Sequence, residues 1–469
     1  MGQRLSDKKK CRKTTYKVDN KAIKLDIFLS GYIDLFTVYR RNSTAVARSY
    51  LRGLLKCEKN HTNIERMVEM IPEIEYHQYH HFLSESNWDY AAVNKRTASG
   101  AAAFIGSLRA ESGKPTGFII DESSHLKKGR SSVGVARQYA GVAGKVENCQ
   151  TGVYAALCNG STVCITDTQL FLPQSWIDSP ERCDKAGIPQ KDRVFQTKPQ
   201  IALKMIRNAV SQGVKFDWIG GDGLYGHNTE LTHGLDAEKL FYVLDIHKDE
   251  KVYLGKPAIA APERKSTKGK TPVQKKGDKP QIRVDKYQES LTESQWEKVL
   301  VRNTAKGPKY VFAHTVAVWH WDGKEDAARP RTLVITKTCE PNPQIKYSFS
   351  NGTTAGYTKK EYAYFQCNRY WVERGFDDAK NELGLSGYQV RKWNAWQHHQ
   401  SLVMMAMLYM AQVKNENKQE FPLMSMRDAR IMIIASLFSD KQTEDLLRNQ
   451  MIKRHQKRQS DIDRHAMSD

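Results

Sequence analysis

The chain is short of several things, and each shortage excludes a class. It has no run of roughly 18 apolar residues, so no segment reads as a membrane-spanning helix. No secretory apolar core follows its start. The opening Met1-Gly2-Gln3-Arg4-Leu5-Ser6 has the letters of a myristoylation pattern, but the polar, lysine-rich stretch behind it makes a chance match the expected reading. Its eight cysteines include no CxxC pair, which argues against a structural zinc site and for reduced thiols in a cytoplasmic chain. There is no internal repeat. Acidic residues are in deficit, 52 Asp and Glu against 73 Lys and Arg, giving a formal net charge of +21. So large a bias points to a polyanionic partner, with nucleic acid first. No basic amphipathic helix stands out as a membrane anchor, so no membrane partner is expected.

What is present divides the 469 residues into unlike stretches. Residues 1–112 read as a basic arm of about 20 residues followed by a helical domain suited to DNA binding, with Thr62-Asn63-Ile64-Glu65 as a capping box. At 117 the pattern changes. Gly117-Phe118-Ile119-Ile120 predicts a buried strand ending at Asp121, and two further strands, 151–157 and 162–171, flank an Asn159-Gly160 hairpin signal. A helix over 199–213 precedes a strand at 216–219 that ends in Gly220-Gly221-Asp222, and another strand covers 241–246. Residues 248–290 are rich in Lys, Pro and Gly, most of all 264–279, which reads as a mobile basic loop. Strands at 310–319, 331–338 and 345–350 follow, then a helix from about Lys360 carrying Glu373, and an apolar helix over 393–413.

The order of elements matches an α/β chain with a ribonuclease-H-like catalytic core: three antiparallel strands, then parallel additions. The core would run over 113–247 and 341–415. A β-strand-rich insertion over 248–340 interrupts it, and a basic helical tail over 416–469 follows. Open sheets place ligands at the carboxyl ends of strands, which brings Asp121 and Asp222 side by side. Arg369, Glu373 and Lys380 are spaced by four and then seven, so a helix carries all three on one face. Three converging carboxylates repel one another unless cations compensate them. Oxygen-only ligands suit Mg²⁺, with Mn²⁺ as a substitute, and two such ions about 3.5–4 Å apart clamp a phosphodiester.

Four stretches carry a family resemblance. They are Asp121-Glu122-Ser123-Ser124-His125-Leu126-Lys127-Lys128-Gly129; the block from Gly134 to Tyr139 with Gly144 to Gln150; Gly221-Asp222-Gly223-Leu224-Tyr225-Gly226; and Trp371-Val372-Glu373 through Lys380 to Arg391. Together they resemble insertion-sequence DDE transposases of the insertion-sequence-four superfamily, nearest its seven-hundred-and-one family, over about 40–415. The resemblance implies Asp121, Asp222 and Glu373 as catalytic metal ligands, with Arg369 and Lys380 on DNA phosphates. The superfamily signature Tyr-x₂-Arg-x₃-Glu-x₆-Lys is matched except that Gln366 stands at the tyrosine position. Lys127, Lys128, Arg130 and Arg137 form a basic cluster beside the site, suited to phosphate contact. Trp319 and Trp321 are candidates for stacking on a flipped base, although strand packing is the plainer reading. Glu122 is set aside as a ligand because neighbours on a strand face opposite ways.

The implied activity is metal-dependent DNA cleavage at terminal inverted repeats and transfer of the 3′-hydroxyl ends into target DNA. It would be carried out by a homodimer on double-stranded DNA in the bacterial cytoplasm. Two rivals share part of the chemistry: a ribonuclease-H-like nuclease without strand transfer, and a non-catalytic DNA-binding derivative.

Overall fold

The computed structural model describes residues 25–58, 62–71, 73–261, 274–304, 307–438 and 441–466. The basic arm, and residues 264–273 of the basic loop, lie outside them.

Five helices come first: α1 (Leu25–Ser30), α2 (Thr44–Lys56), α3 (Ile64–Met70), α4 (Tyr76–Ser84) and α5 (Tyr90–Ser112). The cap of α3 is Asn63, whose side chain accepts from the Arg66 N–H at 2.9 Å, one residue later than the expected capping box. Asp89 caps α5, and Gly113 ends it in the left-handed region at φ +66°.

The strands that follow are β1 (Gly117–Leu126), β2 (Ala136–Ala140), β3 (Lys145–Asn159) and β4 (Thr162–Leu170), with the tight turn at Gly160 where the sequence marks a hairpin. Helix α6 (Lys198–Ser211) leads to β5 (Trp218–Gly221). The short α7 (Gly223–Gly226) and α8 (Thr229–Ala237) lead to β6 (Tyr242–Asp245). Then come β7 (Glu297–Thr304), β8 (Gly307–His320), β9 (Arg329–Thr338) and β10 (Ile345–Ser350), of which β7 was not legible in the sequence. Helices α9 (Lys359–Asn368), α10 (Tyr370–Leu383), α11 (Trp393–Glu416), α12 (Met426–Phe438) and α13 (Lys441–Ala466) complete the chain.

These ten strands form one mixed sheet, in the order β7-β8-β9-β10-β6-β5-β1-β3-β2, with β4 also paired to β3, and three small two-stranded pairs lie outside it among the described residues. Strands β1, β3 and β4 are antiparallel; β5 and β6 are added parallel to β1. The strands after the basic loop do not stand apart, because β10 pairs with β6 and continues the same sheet.

Side chains alternate across β1. Ile119 packs with Phe365 of α9, Val372 and Phe376 of α10 and Trp396 of α11. Phe118 and Ile120 face the other way, onto Ile201 and Met205 of α6 and Leu231 and Leu235 of α8. Helix α11 is buried along nearly its whole length, so both faces of the central strands are covered. No helix among the described residues is long and apolar enough to cross a membrane.

Candidate active site

The site lies where β1 and β5 part. Their parallel pairing stops at Ile119 opposite Gly220. Strand β1 does not end at Asp121 as expected, because β3 pairs with it as far as Leu126. Strand β5 turns away at Gly221, and Asp222 begins α7, its side chain accepting from the Leu224 N–H at 3.0 Å. The glycines around Asp222 have a physical use. A Cβ at Gly226 would overlap the carbonyl oxygen of Asp245, so only glycine lets α7 lie against the end of β6.

Carboxylate oxygens of Asp121, Glu122 and Asp222 lie within 4.8 Å of one another. Asp121 and Asp222 are therefore together, as the sequence reading required. Glu122 joins them against expectation. Its Oε1 accepts from Lys198 Nζ of α6 at 3.0 Å and its Oε2 from the Tyr225 hydroxyl of α7 at 2.9 Å. Alternation holds for the backbone, but the longer glutamate arm reaches the gap that β5 leaves. Burial pushes the Asp121 carboxyl up to about 8; Arg369 opposes this, while Asp222 and Glu122 add to it. Asp222 is raised too, by burial first and by Glu122 next, with Arg369 again opposing.

Arg369 sits between α9 and α10 in helical conformation, so the two run on with only a local break. Its guanidinium is 12% exposed and its three nitrogens go to three carboxylates. Nε donates to Asp245 at 3.0 Å, Nη1 to Asp121 at 3.4 Å and Nη2 to Glu373 at 2.8 Å. Burial would lower its pKa, but Asp245, Asp121 and Glu373 together raise it. In this structure the guanidinium is placed to order these three carboxylates.

Glu373 is 49% exposed and stands outside the tight carboxylate group, joined to it through Arg369. Lys380 is half-buried on the same helix, and burial lowers its ammonium against the pull of Asp377 and Asp121. No described residue pairs with it directly. Asp377 is exposed, and Asp378 is held by Arg374 at 2.8 Å.

The basic cluster divides. Lys127 turns inward: its ammonium donates to the Tyr388 carbonyl at 2.9 Å and lies 3.7 Å from the centre of that ring, and burial takes it down to about 8. Lys128, Arg130 and Arg137 are exposed. Trp319 exchanges backbone hydrogen bonds with Tyr253, and Lys256 lies over its ring at 5.5 Å. Trp321 donates from Nε1 to the Glu325 carbonyl and lines a groove of about 630 Å³ with His227, His247 and Glu250.

Asp245 was missed, since an aspartate closing a strand has no signature of its own. Gln366, where the signature has tyrosine, is 1% exposed. It bonds the Thr336 hydroxyl at 2.5 Å and the Ser348 hydroxyl at 2.6 Å, so it faces the sheet and not the cleft.

The donors present fit a hard divalent cation. They are carboxylate oxygens only, and the burial that raises Asp121 and Asp222 is the cost a bound cation would offset.

The chain is similar to known proteins in sequence and, more loosely, in structure. A family model described as DDE superfamily endonuclease matches residues 33–308, more than half of the chain. A protein of Microchaete diplosiphon, described as "Probable transposase for insertion sequence element IS701", is 26% identical over 313 residues, covering 66% of this chain and 68% of that one. The resemblance drawn from the sequence is borne out by both. Among solved structures, a piggyBac transposase synaptic complex with hairpin DNA superposes loosely, with a TM-score of 0.38 and 9% identity over 88% of this chain and 77% of that chain.

Proposed function

We propose that this chain, which belongs to the DDE superfamily endonuclease family, is an insertion-sequence transposase that cleaves DNA at terminal inverted repeats and joins the 3′-hydroxyl ends to target DNA. The observation that carries this reading is the meeting of Asp121 and Asp222, far apart in sequence, where two parallel strands part, with Glu373 tied to them through one guanidinium.

In this reading strands β4-β3-β1-β5-β6 are a ribonuclease-H-like core, residues 248–340 are its insertion, residues up to 112 bind DNA and residues 416–469 form the tail. Asp121, Asp222 and Glu373 would hold Mg²⁺, with Mn²⁺ as a substitute. Two bound ions would supply an activated water or 3′-hydroxyl and a charge on the leaving oxygen. The chain's own part is positioning and electrostatics. Asp121 is carried by β1, and Asp222 by the turn from the end of β5 into α7. Lys380 offers an ammonium to a phosphate beside Asp121. Lys128, Arg130 and Arg137 extend a positive surface along the duplex. Lys248 and Lys346 line a groove of about 440 Å³ with Asp245 and Arg369, and are a second basic border the sequence reading overlooked. Trp321, in its groove with His227, is better placed than Trp319 to meet an unpaired base. A homodimer acting on two ends in the bacterial cytoplasm completes the proposal.

The test is incubation of purified protein with labelled gene-flanking DNA and a plasmid target, in Mg²⁺ and in EDTA, with wild type and Glu373→Gln. Joined products that need Mg²⁺ and are lost in the variant are expected. Cleavage without joining would make the chain a nuclease. End binding with no cleavage, in Mn²⁺ as well, would make it a DNA-binding derivative.

A further inference from the structure

A hydrogen-bonded relay runs behind the site. Gln366 Nε2 donates to the Ser348 hydroxyl at 2.6 Å, and that hydroxyl donates to Asp245 Oδ1 at 2.6 Å. The other oxygen of Asp245 accepts from Arg369 Nε at 3.0 Å. Gln366 and Ser348 are buried, and Thr336 of β9 fixes the other end of the Gln366 amide. Both oxygens of Asp245 are thus occupied, so this further aspartate is spent on holding Arg369. The two outer nitrogens of Arg369 lie on Asp121 and Glu373.

We propose that Arg369 is an internal counter-cation, covering Asp121 and Glu373 until a divalent cation takes them, and that Gln366, Ser348 and Asp245 form the berth that retains it when it gives them up. The inference rests on the metal-binding reading given above. The guanidinium engages one oxygen of Asp121 and one of Glu373 and sets its positive charge beside both, so arginine and metal compete for the same two side chains. Competition between two ligands is a coupling, and it is reciprocal. Nε on Asp245 decides what giving way costs. With that contact kept, the guanidinium loses two partners and not all three, and stays out of solvent in a paired state. Asp245 is therefore a positioning residue, acting through Arg369. The same relay gives Gln366 a use at the position where the superfamily signature has tyrosine.

The experiment is Mn²⁺ titration by calorimetry, without DNA, on the whole chain and on Arg369→Gln, Asp245→Asn, the double variant and Asp222→Asn. Arg369→Gln is expected to bind Mn²⁺ roughly tenfold more tightly than wild type, because the competitor is gone. Asp245→Asn is expected to bind several-fold more weakly, because the guanidinium has lost its alternative. In the double variant the Asp245 substitution should have little further effect. A merely structural aspartate would lower the melting temperature in both backgrounds and leave this pattern absent. Should Arg369→Gln not fold, Asp245→Asn alone decides: unchanged Mn²⁺ affinity overturns the proposal.

Equal or weaker binding by Arg369→Gln overturns it, as does an Asp245 effect of the same size in both backgrounds, which would mark a direct charge effect. These outcomes are separate from failure of the underlying reading. If Asp222→Asn binds Mn²⁺ as wild type does, the carboxylates are not the metal site, and both fall. If binding depends on Asp222 but ignores Arg369, only the present inference falls.

Discussion

Gly226 lies against the carbonyl oxygen of Asp245, so close that no side chain fits between α7 and the end of β6. The contact ties the helix begun by Asp222 to the strand that ends in the residue holding Arg369. Gly226→Ala must move one of them. Overpacking of this kind costs about 1–3 kcal/mol, and here the obstacle is backbone, which cannot rotate away. Urea unfolding in EDTA should show that loss. A variant as stable as wild type would mean that α7 shifts freely.

Asp222→Asn removes a charge and keeps the shape, including a cap for α7, since asparagine also accepts the Leu224 N–H. End binding should stay within about twofold of wild type, while cleavage falls roughly 10³-fold or more, the scale of losing an electrostatic group in the transition state. Gel shift and a cleavage assay in Mg²⁺ measure the two separately. Retained cleavage would take Asp222 out of the site.

Lys380→Met keeps the buried methylene stem and deletes the ammonium. With no direct partner among the described residues, that ammonium is available to a phosphate. Its loss should weaken end binding or slow cleavage about tenfold, the worth of one charge-assisted contact of ~1.4 kcal/mol. Activity equal to wild type would leave Lys380 a packing residue.

His399 predicts acid lability. It is fully buried on α11, its Nδ1 paired with the Tyr50 hydroxyl at 2.8 Å and its Nε2 with the Gly384 carbonyl at 3.1 Å. A neutral ring protonated at Nε2 satisfies both contacts. Burial, and secondarily the charge of Lys127, take its pKa down to about 3. The unfolded value is about 6.5, so the unfolded chain binds the extra proton first. The stability from the neutral ring is complete above about pH 6.5 and drains away as pH falls towards 3. It amounts to about 2 kcal/mol lost between pH 6.5 and pH 5. Urea unfolding at pH 7 and pH 5 should show this difference, and His399→Gln should reduce it. An undiminished difference in that variant would assign it to other groups.

Much of this site was legible in the sequence because its parts are local patterns. A strand running into Asp121, a Gly-Gly-Asp-Gly turn and an Arg-x₃-Glu-x₆-Lys helix each announce themselves within a few residues. What escaped depends on how distant segments meet. Asp245 ends β6 like any strand-closing aspartate, and only the arrival of Arg369 gives it a role. Glu122 was dismissed by an alternation rule that describes Cβ directions, whereas the carboxylate lies several bonds further out, in a gap opened by another strand. Lys127 looked like its neighbour Lys128, yet Tyr388, far along the chain, turns it inward. Strand β7 was missed because its apolar run is only Val299-Leu300-Val301, set between the charged Glu297-Lys298 and Arg302 at a sheet edge.

The continuity of the sheet bears on how the molecule can move. The strands beyond the basic loop hydrogen-bond through β10 to β6, and β6 ends in Asp245. Three residue pairs, Ser348 with Asp245, Phe349 with Leu244 and Ser350 with Val243, make that join, so the far strands are continuous with the cleft through backbone. A load applied at β8, where Trp319 and His320 close the strand, passes through paired backbone to the aspartate that holds Arg369. The position of Asp245, and with it the berth of Arg369, is thus set by the same sheet that carries Trp319 and His320.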